Sequence, residues 1–501
     1  MTVLCLEPLT WPSSASVIRR RSGRHPKKGE HMNCRGAFRR HRFGVGVIGL
    51  ATILTTGVLS GSGAAVTSVP SGTVHGFAFG QMQSQSAGTA GCGTNTAGEP
   101  SIHVSKANLV GAGSEEGVGS GSEYWRATQV GGTASASPCT LVYSGQPNAV
   151  NKAGASGGDI DTAFAPVKSA AGTYRIYVAS LNLASINVAT SVDNGSTFTA
   201  VPVQAGVPLD DREWIAAYGA DTSLLSYHDI ATGNIDVLRS DTGGGPYTQS
   251  SQAIPLTDYK ATNNELGNLV IDHNTGNGTS TSPFYAYQAF VSPSSKPGPL
   301  ASATFNEAFL AVSADGGHSW TDKPIPCTTA FGSNGLNHNF PNISVAPNGR
   351  LFYAVSNDTS IYVAESSNRG DTWSCSGPIS TASRAIFPWI VATNAGEDLV
   401  YYGGSGSGAS QTWSVYFAQN LVQSVSGWST KQLMAVHKGV VCEGGVSCTG
   451  GRQLLDDFGI DTDQSGLAHI AFSHDAPDIG GTGSYTGYAV QQSGSPVGAP
   501  N

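Results

Sequence analysis

The chain is poor in charge: Asp, Glu, Lys and Arg make up only 12% of its 501 residues. Methionine is scarce, with four in all, and long stretches with helical apolar spacing are missing. These absences argue against helical bundles and coiled coils. No Cys-x-x-Cys pair is present, which removes the usual sign of a zinc site. There is no Gly-x-Ser-x-Gly elbow and no phosphate-binding Gly-rich loop ending in Lys-Ser/Thr, so two common catalytic motifs are absent as well. Sixty-five glycines are present, and Ser and Thr are frequent. That composition suits short strands joined by many turns.

The first 65 residues read differently from the rest. Residues 1–43 hold ten of the 26 Lys/Arg and two of the 34 Asp/Glu, leaving 16 basic and 32 acidic residues, a net of −16. Next comes an apolar run from Gly44, broken by Gly and Thr, that ends in small residues near Ala64 and Ala65. A basic segment, an apolar core and a small-residue end form an export signal, and the run is too short and broken for a membrane anchor. The arginines near Arg39 hint at twin-arginine export, and Met32 opens a more ordinary signal peptide. The expected product is a secreted, acidic protein, without nucleic-acid partners and without membrane contact after cleavage. Six cysteines follow the signal, and their order suggests the pairs Cys92–Cys139, Cys327–Cys375 and Cys442–Cys448. An even count fits disulfides in an exported chain.

A turn recurs three times: "SVDNGSTF" from Ser191, "SADGGHSW" from Ser313 and "SSNRGDTW" from Ser366. Each follows a short alternating strand. "RSDTGGGPY" from Arg239 is a degenerate fourth copy. In each, Asp or Asn can accept backbone N–H bonds, Gly can take a positive φ, and the aromatic can pack inward. A second element, a polar lead-in to an apolar strand, recurs seven times: at Gly98, Gly157, Asp210, Asn263, Asn337, Ser383 and Leu454. Four strands per unit at a period of 40–55 residues predict an all-β propeller of seven four-stranded blades. The domain expectation is an export region over 1–65, an extension over 66–90 and the propeller over 91–495. Six blades remain an alternative, and the chain ends could close one blade jointly.

The Ser-x-Asp-x-Gly-x-x-Trp turn resembles the Asp-box, or BNR repeat, of the sialidase superfamily over about 90–495. The third copy has Asn368 for Asp, and sialidases usually have six blades. The resemblance places the Asp-box at the turn between strands c and d of a blade. Ligand sites then lie on the opposite face, where polar lead-ins and b–c loops gather. It also implies a glycoside hydrolase with a Tyr nucleophile paired with Glu, an Asp acid/base and three arginines on a substrate carboxylate. The candidates by position are Arg212, Arg384 and Arg452 as the anion clamp and Asp159 or Asp161 as the acid. Glu265 is the activating carboxylate, Tyr227 or Tyr402 the nucleophile, and His228 and Asp457 further binding residues. Arginine suits such a clamp because its planar fork binds a carboxylate bidentately. The family's first-blade Arg-Ile-Pro is missing here: the first inner strand reads "EPSIHVS". An acidic glycan is the expected partner and the chain is expected to be monomeric. No cofactor is expected, although a structural Ca²⁺ is open, and His228, His474 and nearby Asp residues are alternative metal ligands. A non-catalytic glycan-binding propeller and a polysaccharide lyase are the other readings.

Overall fold

A computed structural model describes residues 73–81, 97–115, 122–127, 141–147, 158–181, 185–201, 203–204, 210–298, 304–327, 335–336, 340–444, 448–475 and 483–500. The chain divides into two units, Met1–Gly57 and Val58–Asn501, and the described residues all belong to the second. The export region, Cys92, Cys139 and the lead-in at Asn337–Asn339 lie outside them.

Seven antiparallel sheets surround one channel, so the architecture is the seven-bladed β-propeller that the repeat implied. The inner strands are Gly98–Val104, Ile160–Lys168, Asp210–Tyr218, Glu265–Ile271, Asn342–Val345, Arg384–Ala392 and Gly459–Thr462, in blades 1 to 7. Blade 3 gains a fifth strand, because Val203–Gln204 pairs parallel to Tyr247–Gln252.

Blade 7 is closed by the chain's other end. Its own strands are Gly459–Thr462, Ala468–His474 and Tyr485–Gln491. Phe77–Gln81 adds the fourth, antiparallel to Tyr485–Gln491, with Thr73–Val74 outside it. Residues 73–81, expected as an extension, therefore belong to the propeller sheet. Phe77 explains why they dock: it is 1% exposed and its ring centre lies 4.8 Å from that of Phe417 in blade 6.

Blades are stitched together by side chains as well as by apolar packing. Asp161 of blade 2 accepts from Ile215 N of blade 3, Asn268 of blade 4 from Ile343 N of blade 5, and Asn342 of blade 5 from Ile390 N of blade 6. Each bond satisfies an inner-strand amide with no sheet partner on that side. Two of the expected disulfides form: Cys327–Cys375 joins the outer edges of blades 4 and 5, and Cys442–Cys448 closes a short loop.

The recurring turn joins strands c and d in blades 2, 4 and 5. Asp315 accepts from His318 N and Ser319 N at 3.1 and 2.9 Å, and from the hydroxyls of Ser313 and Ser319. The leading serine does what the sequence left unread: its oxygen accepts from the Gly amide, at 3.0 Å for Gly195, 2.8 Å for Gly317 and 2.9 Å for Gly370. Gly317 needs a φ of +91°, which a side chain would strain. Two of the aromatics reach the preceding blade: Phe198 meets Tyr124 edge-on, and Trp320 Nε1 donates to Ser251 Oγ at 2.7 Å. These residues tie a turn and a blade seam together.

Candidate functional site

On the opposite face the inner strands begin with bulges. Register shifts occur at Gly98/Ser101, Asp211/Glu213 and Ile386/Trp389. Four residues there have positive φ: Glu99 (+54°), Arg212 (+35°), Phe340 (+28°) and Phe387 (+54°). Non-glycine residues pay strain for such a conformation, and bulges re-aim side chains. Here the bulges carry Glu99 and Arg212 into the mouth of the channel.

Arg212 is the hub. Its Nη1 donates to Glu99 Oε1 at 2.9 Å, and its Nη2 bonds Asp457 Oδ2. Its guanidinium lies 4.0 Å from the centre of the Trp214 ring and 4.8 Å from that of Phe340. Trp389 packs against Trp214 at 5.3 Å, completing an aromatic layer. Arg212 is only 3% exposed, so both its charge and its faces are already used.

Around this hub stand carboxylates that feel one another's charge. Burial, reinforced by Asp159, pushes Glu115 up to about 8 against the pull of Arg452. Glu265 is also raised to about 8, by burial and then by Asp211 and Asp456. Asp211, exposed at the surface, rises only to about 6, through desolvation and Asp159. Asp457 rises to about 7 by burial, although Arg212 opposes this. Burial and Asp159 also raise Glu99 and Glu213 well above the carboxylate range. With Asp456, eight carboxylates face two guanidiniums, Arg212 and Arg452. Arg452 bonds Asp456 through Nη2, and its Nη1 has no hydrogen-bond partner.

The positions found by sequence therefore separate. Asp159, Glu265, Arg212, Arg452 and Asp457 share the mouth. Asp161 sits deeper: it accepts from Thr162 N and Ile215 N and lies 3.6 Å from His103. It lines a channel cavity of about 190 Å³ with His103, Asn268 and Asp461, so its role is inter-blade stitching. Arg384 does not join the other two arginines. Asp358 and Glu443 engage it, and it lies 5.3 Å from the Trp413 ring. The three-arginine clamp is thus not assembled.

Neither tyrosine is placed as an accessible nucleophile. Tyr227 is 1% exposed, packs with Tyr177, Val188 and Leu238, and hydrogen-bonds Asp236. Tyr402 is 0% exposed and stacks on Phe458 at 4.0 Å. Its hydroxyl accepts from Ser473 N at 2.8 Å, and Ser473 Oγ in turn accepts from Glu99 N. Tyr402 therefore positions Glu99 from below. His228 bonds the Gly233 carbonyl across its own hairpin, and burial lowers its pKa. His474 is buried against Tyr485, with its pKa lowered to about 4 by desolvation. These two histidines belong to different blades and share no ligand set.

Glu115 escaped the sequence reading. It ends strand b of blade 1, and the b–c loops open on this face, so its position was a usable signal. Together Glu99, Glu115 and Asp159 each place one carboxylate oxygen within 4.8 Å of the other two.

No known protein-family profile matches the chain, and no curated protein matches it. Solved structures do. An α-L-arabinofuranosidase from Fusarium graminearum is 12% identical, with 62% of this chain and 88% of that one covered and a TM-score of 0.41. A xyloglucanase from Xanthomonas campestris is 14% identical, with coverages of 79% and 55% and a TM-score of 0.45. A sialidase from Streptococcus pneumoniae is 10% identical, with coverages of 82% and 70% and a TM-score of 0.40. None of these likenesses carries an argument about substrate or reaction.

Proposed function

We propose that this propeller is carbohydrate-active, a secreted glycoside hydrolase whose reaction takes place at the channel mouth. One observation carries the reading: Glu265 and Asp211 are neighbouring carboxylates whose environments push them apart. Glu265, at about 8, holds a proton at neutral pH, while Asp211, at about 6, has largely lost its own. Glycoside hydrolysis needs that division of labour. Glu265 protonates the glycosidic oxygen as its bond to the anomeric carbon breaks, and ionised Asp211 takes a proton from the water that attacks that carbon. Arg452, whose side chain is 24% exposed, borders the mouth where the glycan would enter.

The charge of the mouth bears on the substrate. Arg212 is committed to Glu99 and Asp457 and Arg452 to Asp456, so neither guanidinium of the mouth is left to grip an anionic sugar. A neutral glycan fits this mouth better than a sialoside or a uronate polymer.

The test is a screen of the secreted protein on neutral aryl glycosides, sialosides and uronate polysaccharides. Release of reducing sugar from a neutral glycoside, lost in Glu265→Gln, is expected. An ultraviolet-absorbing unsaturated product would establish a lyase instead. Binding without any product would make the propeller a lectin, and turnover of sialosides alone would overturn the neutral-glycan reading.

A further inference from the structure

We infer that Glu99, Glu115 and Asp159 form a binding site for a hard divalent cation, Ca²⁺ by its chemistry, at the seam of blades 1 and 2. The three residues come from separate segments: Glu99 from the first inner strand, Glu115 from the end of the next strand, and Asp159 from the lead-in to blade 2. One oxygen of each lies within 4.8 Å of the others. A cation with oxygen ligands at about 2.3–2.6 Å fits between atoms so spaced.

A second observation makes this more than an acidic cluster. Glu99 and Glu115 are 1% and 4% exposed, and Oε2 of each is buried with no hydrogen-bond partner. A buried carboxylate oxygen left unpaired is costly, and more so when the group is charged. Two such atoms beside a third carboxylate demand protons or a cation. The guanidiniums do not meet that demand. Arg212 spends its terminal nitrogens on Glu99 Oε1 and Asp457, and Arg452 reaches Asp456. Glu99 is held in a left-handed backbone conformation at φ +54°, with its amide pinned to Ser473. Its carboxylate is therefore fixed before any ion arrives. Three carboxylates without imidazole or thiolate favour calcium-class ions over zinc or copper. The inference stands independently of the hydrolytic reading.

The full chain, stripped with chelator and exchanged into metal-free buffer at neutral pH, tests it by calorimetric titration with CaCl₂ and by thermal unfolding. One site per chain is expected, with a higher unfolding midpoint that chelator reverses. Glu115→Gln, which keeps the shape, and Asp159→Asn, at a part-exposed position, should each weaken Ca²⁺ binding at least tenfold. Asp371→Asn, a surface carboxylate on the other face, should bind as the parent does. Circular dichroism of each variant establishes that it is folded. No binding heat and no midpoint shift up to about 10 mM Ca²⁺, beyond the weakest protein calcium sites, would overturn the site. So would unchanged binding in both folded variants.

Discussion

Arg212 of blade 3 holds Glu99 of blade 1 at 2.9 Å and Asp457 of blade 7 with its other terminal nitrogen. One guanidinium thus joins three blades across the channel mouth, out of solvent. Removing one partner from a buried ion pair leaves uncompensated charge, at a cost of about 3–5 kcal/mol. Arg212→Ala is expected to lower the unfolding midpoint strongly. Arg452→Ala, at a part-exposed position, should leave the midpoint nearly unchanged and raise KM for the glycan. Thermal unfolding of both variants beside substrate titration separates the two roles; equal midpoints would remove Arg212 as the hub.

Glu265 governs the alkaline side of the pH profile. Activity needs its proton, so turnover should fall as pH rises through about 8. Glu265→Gln should cut kcat by about 10²–10⁴ while leaving the unfolding midpoint near that of the parent. A residual activity with the same alkaline limb would assign that limb to another group.

The turn around Asp315 is structural. Burial works against its ionised form, but two hydroxyls and two amides outweigh this and hold its pKa below the usual value. A depressed carboxylate adds stability above its unfolded pKa, and that stability is lost as pH falls through the folded value. Asp315→Ala should lower the midpoint at pH 7 by the equivalent of about 1–2 kcal/mol, with the difference shrinking as pH falls below the ordinary Asp value and through the depressed one. The folded variant should keep its activity; a stable but inactive variant would move the chemistry to this face.

Asp398 acts with the opposite sign. It is fully buried, Gln419 bonds one of its oxygens at 2.9 Å, and burial pushes its pKa up to about 8. A raised carboxylate contributes full stability below its unfolded pKa, near 4, and loses it as pH rises through about 8. Asp398→Asn should therefore flatten the decline in unfolding midpoint between pH 4 and 8. Parallel curves for variant and parent would show that Asp398 is ionised throughout.

The blade order and the sorting of faces were legible because the turn at Ser313–Trp320 repeats and carries its own punctuation. Position alone then brought Arg212, Arg452, Glu265, Asp159 and Asp457 to one end of the channel. What a residue does there was not legible. Arg212 reads as a free clamp until Glu99 and Asp457, 113 and 245 residues away, close on it. Asp159 and Asp161 are two residues apart, yet one sits in the mouth and the other bonds the Ile215 amide below it. Tyr227 and Tyr402 look alike in an alternating strand, and period-two spacing does not reveal that both are sealed between sheets. Glu115 ends strand b of blade 1, and strand alternation alone does not show that its carboxylate meets those of Glu99 and Asp159.

The pairing of Phe77–Gln81 with Tyr485–Gln491 sets an order of events. Phe77–Gln81 has no sheet to join in blade 7 until Tyr485–Gln491 has been made, roughly 400 residues later. Closing so long a span costs entropy that grows only slowly with length, but contacts this distant form late. Glu99 stands in the strand that follows Phe77–Gln81, and Arg452 and Asp457 in the lead-in to blade 7, whose sheet Tyr485–Gln491 completes. Arg212 therefore closes on Glu99 and Asp457 when the ring shuts, and a chain lacking Phe77–Gln81 or Tyr485–Gln491 is expected to lose that seam.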